Sequence, residues 1–163
     1  MAFSRTPDVR LSQRDRHGNL PGIIYMLELA THHVTTLPGS QGFFAPRWSP
    51  DGRFIEAESD NALSLKIFDL VTQRAWVLDT GMQAEWHTWS RDDRFIYFVS
   101  VPGHPGVFRI PVQGGKPEMV VDLKGFLSTG IAGYYFTLDP RDAPLLLHFN
   151  GSDDLYSLAL EKK

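Results

Sequence analysis

The sequence predicts an all-β fold, a partial β-propeller of about four blades, each a four-stranded antiparallel sheet, with the first and last blades incomplete. Two repeats predict it. Trp48-Ser49-Pro50-Asp51-Gly52-Arg53-Phe54 returns 41 residues later as Trp89-Ser90-Arg91-Asp92-Asp93-Arg94-Phe95. A worn copy, Leu138-Asp139-Pro140-Arg141-Asp142-Ala143-Pro144, follows 49 residues further on. In a second register, Met26-Leu27-Glu28-Leu29-Ala30-Thr31 is matched 41 residues later by Ile67-Phe68-Asp69-Leu70-Val71-Thr72. Val107-Phe108-Arg109-Ile110 and Leu155-Tyr156-Ser157-Leu158 continue that series. A hydrophobe, a tight turn and a strand recurring near every forty residues mark propeller blades.

Taken in order, blade one is expected over about 8–37, entering at its second strand near Asp8. With strands lettered A to D from the axis outward, blade two (about 43–78) has A at 43–47, B at 53–58, C at 64–70 and D at 74–78. Its A–B hairpin is Ser49-Pro50-Asp51-Gly52: proline presets φ for the second turn position, and glycine supplies the positive φ that follows. In blade three (about 83–121) Asp93 takes the glycine position, where aspartate is better tolerated than most residues. Blade four (about 126–160) offers A near 133–137, B at 145–149 and C at 155–160, and the chain stops before a D strand. The expected order is therefore B-C-D, two whole blades, then A-B-C. Such an arc would expose an apolar sheet face at each end. A larger propeller containing this chain, or a homodimer closing a ring of about eight blades, would cover those faces. Self-closure with four blades is less favoured, because it requires steep angles between blades.

Trp48, Trp89 and Leu138 each end a strand A, where the gap between twisted blades widens. They are read as inter-blade packing residues.

The bulk numbers fit a single domain. The chain has 163 residues, 42% of them hydrophobic, and a net charge of −3 with both signs spread along it. That balance argues against nucleic-acid binding by this domain, which would show a basic patch. No cysteine is present, which excludes disulfides, thiolate metal sites and cysteine nucleophiles. No apolar run approaches the length of a membrane span, so no membrane insertion is expected. The first residues lack an apolar signal-peptide core, so none is expected in this chain.

The repeat resembles the TolB-like, WD-type β-propeller repeats of bacteria. The resemblance rests on Trp48-Ser49-Pro50-Asp51-Gly52-Arg53-Phe54, on Ile67-Phe68-Asp69-Leu70 and on Gly106-Val107-Phe108-Arg109-Ile110, and spans about residues 8–160. It implies a propeller that serves protein–protein complexes at the cell envelope, or the sensory part of a regulator whose effector domain lies elsewhere. By resemblance the compartment is periplasmic, with the cytoplasm as the alternative.

No Gly-x-Ser-x-Gly elbow, His-Glu-x-x-His, P-loop or dinucleotide fingerprint occurs, so no catalytic residue and no cofactor is assigned. His32-His33 reads as a solvated turn rather than a metal pair. His87 lies in strand A, two residues before Trp89, where it is expected to face the central channel; no metal site is assigned there. Glu56 and Glu58 are the least expected residues for their place, a strand covered on both faces, and alternation puts them on one face. A buried carboxylate pair would be a functional-site candidate; the plainer expectation is pairing with Arg47, Arg53 or Lys66. Binding residues are sought on the face where the B–C and D–A loops gather: Arg16, His17, Asp60, Asn61, His104, Asn150, Asp153 and Asp154. The expected function is a non-catalytic scaffold with a protein partner. The alternatives are a lyase- or hydrolase-type enzyme acting in the central channel, and a small-ligand sensor.

Overall fold

The computed structural model describes residues 2–4, 22–127 and 134–148. Four antiparallel sheets follow one another along the chain. The first joins β1 (Ala2–Ser4), β2 (Ile24–Leu27) and β3 (Val34–Thr36). Blade two is β4 (Phe43–Trp48), β5 (Phe54–Ser59), β6 (Ser64–Asp69) and β7 (Arg74–Asp79), paired in that order. Blade three repeats it with β8 (Glu85–Trp89), β9 (Phe95–Ser100), β10 (Gly106–Pro111) and β11 (Glu118–Asp122). A single helical turn, α1 (Lys124–Leu127), leads toward the hairpin β12 (Tyr134–Leu138) and β13 (Pro144–His148). These sheets form a partial β-propeller.

The first sheet departs from expectation. One strand of it is Ala2–Ser4, in register Ala2↔Met26 and Ser4↔Ile24, a segment to which the sequence assigns no strand. Three residues are too short to carry a period-two signal, so the sequence does not mark this strand. The stretch from Asp8 to residue 21, and the expected third strand of blade four at 155–160, lie outside the described residues.

The conserved shape of the A–B turn has a local cause. The Ser49 hydroxyl donates to the Asp51 carboxylate (2.7 Å) and accepts from the Phe54 amide (2.8 Å), while the Arg53 amide donates to Asp51 (2.9 Å). Ser90, Asp92, Phe95 and Arg94 repeat every one of these contacts. In the worn copy Asp139 replaces the serine and takes the amides of Arg141 and Ala143 itself.

Strand B of each whole blade is buried along its length and reads both neighbours. In β9, Ile96 and Phe98 face blade two, whereas Tyr97 and Val99 face Phe136 of β12. In β5, Ile55 and Ala57 pack on Ile24 and Leu37 of the first sheet, and Phe54 packs on Trp89 of blade three. A strand covered on both faces should be a continuous apolar run. β9 is; β5 is broken by Glu56 and Glu58, both buried.

The tryptophans divide. Trp89 is buried, stacks on Phe54 (centroids 6.0 Å apart), and donates from Nε1 to the Arg47 carbonyl at 3.2 Å. Trp76 of β7 meets the other side of Phe54 edge-on and donates to the Val112 carbonyl. Leu138 packs, partly buried, against the cluster around Tyr97 and Phe136. Trp48, expected to be packed like Trp89, is instead 38% exposed. The position that would face it by the 41-residue offset is Gln13, outside the described residues and without an aromatic ring to stack on.

Candidate functional site

The inner strands β4 and β8 each carry a bulge at the same place in the repeat. Between Phe44↔Glu58 and Arg47↔Glu56, two residues of β4 oppose one of β5. Between Glu85↔Val99 and Thr88↔Tyr97, β8 does the same against β9. Ala45 and Trp86, 41 residues apart, adopt positive φ (50° and 54°) to make these bulges. Bulges re-aim side chains, and His87 follows Trp86 directly.

His87 thereby lands between the two carboxylates of blade two. Its Nδ1 bonds Glu56 Oε1, and its Nε2 bonds Glu58 Oε2 at 3.1 Å. All three side chains are buried or nearly so. Burial alone would pull the imidazole's pKa down. The charge and hydrogen bond of Glu56, joined by those of Glu58, outweigh it and push His87 up to about 9. At neutral pH the ring is an imidazolium donating from both nitrogens. The second oxygen of Glu56, Oε2, is buried without a hydrogen-bond partner among the described residues.

Two of the partners expected for these glutamates are engaged elsewhere. Arg53 grips Asp69 (2.7 Å), whose carboxyl it holds well below the usual carboxylate range, and Lys66 donates to the Gly39 carbonyl. Arg47 is exposed and lines, with Ala45, Glu58, Glu85, Trp86 and His87, a cavity of about 330 Å³ straddling blades two and three. The Trp86 ring meets Tyr135 of β12 edge-on at 4.9 Å.

The seam of blades three and four lacks this triad. By the offsets of the repeat, the positions of Glu56, Glu58 and His87 are held by Tyr97, Val99 and Phe136 at the seam of blades three and four. There they form part of an apolar cluster.

Of the loop residues, Asp60 and Asn61 lie between β5 and β6, and His104 lies between β9 and β10. All three are exposed. The Asn61 carbonyl accepts from the Ser59 hydroxyl and the Leu63 amide, which closes its turn. The pairings Phe43↔Ser59 and Glu85↔Val99 put these loops at the same end of the sheets as Trp86 and the cavity mouth. Arg16, His17, Asn150, Asp153 and Asp154 lie outside the described residues. His32 and His33 are exposed in the β2–β3 turn. Among the described residues no group of three or more histidine, aspartate or glutamate side chains is placed to hold a metal ion, and no helix is long and apolar enough to cross a membrane. The partnership of His87 with the two glutamates could not be read from the repeat, because it joins strands A and B of different blades.

No family model matches the chain, and neither does any curated protein. Solved structures do. TolB from Acinetobacter baumannii superposes with a TM-score of 0.56 at 18% identity, over 76% of this chain and 31% of that one. A putative TolB from Agrobacterium tumefaciens superposes with a TM-score of 0.54 at 21% identity, over 77% of this chain and 44% of that one. The chain spans less than half the length of either. The likeness shows the fold, a TolB-like β-propeller.

Proposed function

We propose that the chain is a non-catalytic β-propeller scaffold for protein–protein interaction, belonging to a larger envelope or sensory and regulatory protein. The observation that carries this reading is the state of His87. A general base needs a free nitrogen at working pH; here both nitrogens are donated to carboxylates and the ring stays charged to about pH 9. The strongest acid–base cluster among the described residues is thus spent on holding two blades together. A partner surface is better supplied by the loop end, where Asp60, Asn61 and His104 stand out from rigid strands beside the Trp86–Tyr135 pair. The TolB-like fold supports the scaffold reading and a periplasmic setting, with the cytoplasm as the alternative. The rival, a lyase- or hydrolase-type enzyme working in the channel, would need a group free to accept a proton at neutral pH.

Site-specific photo-crosslinking in cells tests the proposal. A crosslinker at Asn61 or His104 should trap one discrete protein, and one at Thr72, in the turn at the opposite end of the sheets, should not. Equal trapping at both ends, or turnover of a channel-bound substrate abolished by His87→Gln, would overturn it.

A further inference from the structure

The seam between blades two and three has two parts. Most of it is apolar, running from Phe54 and Trp89 at the A–B turns to Leu65, Leu78 and Ala84 toward the other end. Toward the cavity it is ionic, built on Glu56, His87 and Glu58. The neighbouring seam uses Tyr97, Val99 and Phe136 at the same three positions and is apolar there. All three positions therefore differ together between the seams, as mutually dependent residues do.

Charges decide what the ionic part can tolerate. With His87 protonated, one cation lies between two anions in a buried site. With His87 neutral, one ring nitrogen loses its hydrogen and faces a carboxylate lone pair, while two buried carboxylates lose their shared counter-charge. Removing one member of a buried ion cluster leaves the rest uncompensated, which is strongly unfavourable. Among the described residues, the other charged groups lining the adjoining cavity are Arg47 of β4 and Glu85 of β8. Neither bonds His87: its two nitrogens are taken by the two glutamates of β5. Tyr97 of β9 faces blade four.

We propose that this seam is a proton-operated joint: the imidazolium of His87 locks blades two and three at their inner strands, and loss of that proton to solvent releases them and reshapes the cavity, while the seam to blade four stays closed. The proposal does not depend on the scaffold reading. The cavity has one wall on each blade, Ala45, Arg47 and Glu58 on one side and Glu85, Trp86 and His87 on the other. Separation of the inner strands therefore changes its shape directly.

Amide hydrogen exchange on the full chain, corrected for intrinsic rates and read at about pH 7 and about pH 10, tests the joint. Protection of β8 should fall by about tenfold or more, while that of β12 should change by less than about twofold. The fall should share its midpoint with the His87 ring titration followed by NMR. In the variant Glu56→Phe/Glu58→Val/His87→Phe, which gives this seam the apolar character of its neighbour, β8 protection should not fall. Unchanged β8 protection in the wild type, an equal loss in β12, a midpoint unrelated to His87, or the same loss in the triple variant would each overturn the proposal. The first three readings need only the wild-type chain.

Discussion

At the scale of single residues, the contrast between Trp89 and Trp48 is the sharpest prediction. The motif presents them as equals, but only Trp89 is covered and stacked on an aromatic partner. Trp89→Ala should lower unfolding free energy by about 3–5 kcal/mol, the range for large aromatic truncations in cores, and Trp48→Ala by about 1 kcal/mol. Urea denaturation separates the two. Asp93 offers a second case. At φ 59° a side chain costs energy, yet the Asp93 carboxylate reaches the Asp51 amide of the preceding blade at 3.5 Å. Asp142, at φ 60°, does the same for the Arg91 amide at 3.0 Å. Aspartate at this position is more than a tolerated substitute for glycine: it ties neighbouring turns. Asp93→Gly, relieved of strain, should be close to neutral, whereas Asp93→Ala keeps the strain, loses the bond and should cost about 1–2 kcal/mol. At His87, the folded pKa lies above the ordinary 6.5. Its contribution to stability is therefore fully present below about pH 6.5 and is lost as pH rises through about 9. His87→Gln should remove that dependence and cost about 3–5 kcal/mol at neutral pH, since it leaves buried carboxylates without a counter-charge.

At the scale of strands and turns, legibility followed how local the cause was. The A–B turns could be read in advance because Ser49, Asp51, Arg53 and Phe54 satisfy one another within six residues. The strands of the two whole blades follow from turn spacing and apolar runs. The bulges at Ala45 and Trp86 were hard to read: neither is glycine or asparagine, only the first has a proline beside it (Pro46), and both hold positive φ because the surrounding ladder imposes it. The ionic triad was half visible. Glu56 and Glu58 were conspicuous in a strand that should be apolar, but their partner sits 29 to 31 residues away across a seam. One close approach tests the outer ladder. At Gly106, opening β10, a Cβ would stand 2.9 Å from the Val121 carbonyl oxygen. Gly106→Ala should push β11 away and cost about 1–3 kcal/mol by thermal unfolding, the range for overpacked sites.

At the scale of the molecule, three apolar clusters each bridge two successive sheets, so no described blade has a core of its own. Stability in such an array is a sum over neighbour contacts. A sheet face at either end gains its contribution only when something covers it. If two copies close a ring, light scattering should report about 37 kDa, twice the 18.4 kDa chain. A monomer that stays dispersed would count against both a ring closed by two copies and a larger host propeller. The serine–aspartate clasp at the A–B turns of blades two and three has a bearing on how such a ring could arise. Because a hairpin carries its own fastening, a duplicated stretch of gene would deliver a ready-made corner wherever it was inserted. Only the meeting surfaces between units would then need new chemistry, and it is there that an ionic seam now stands beside an apolar one.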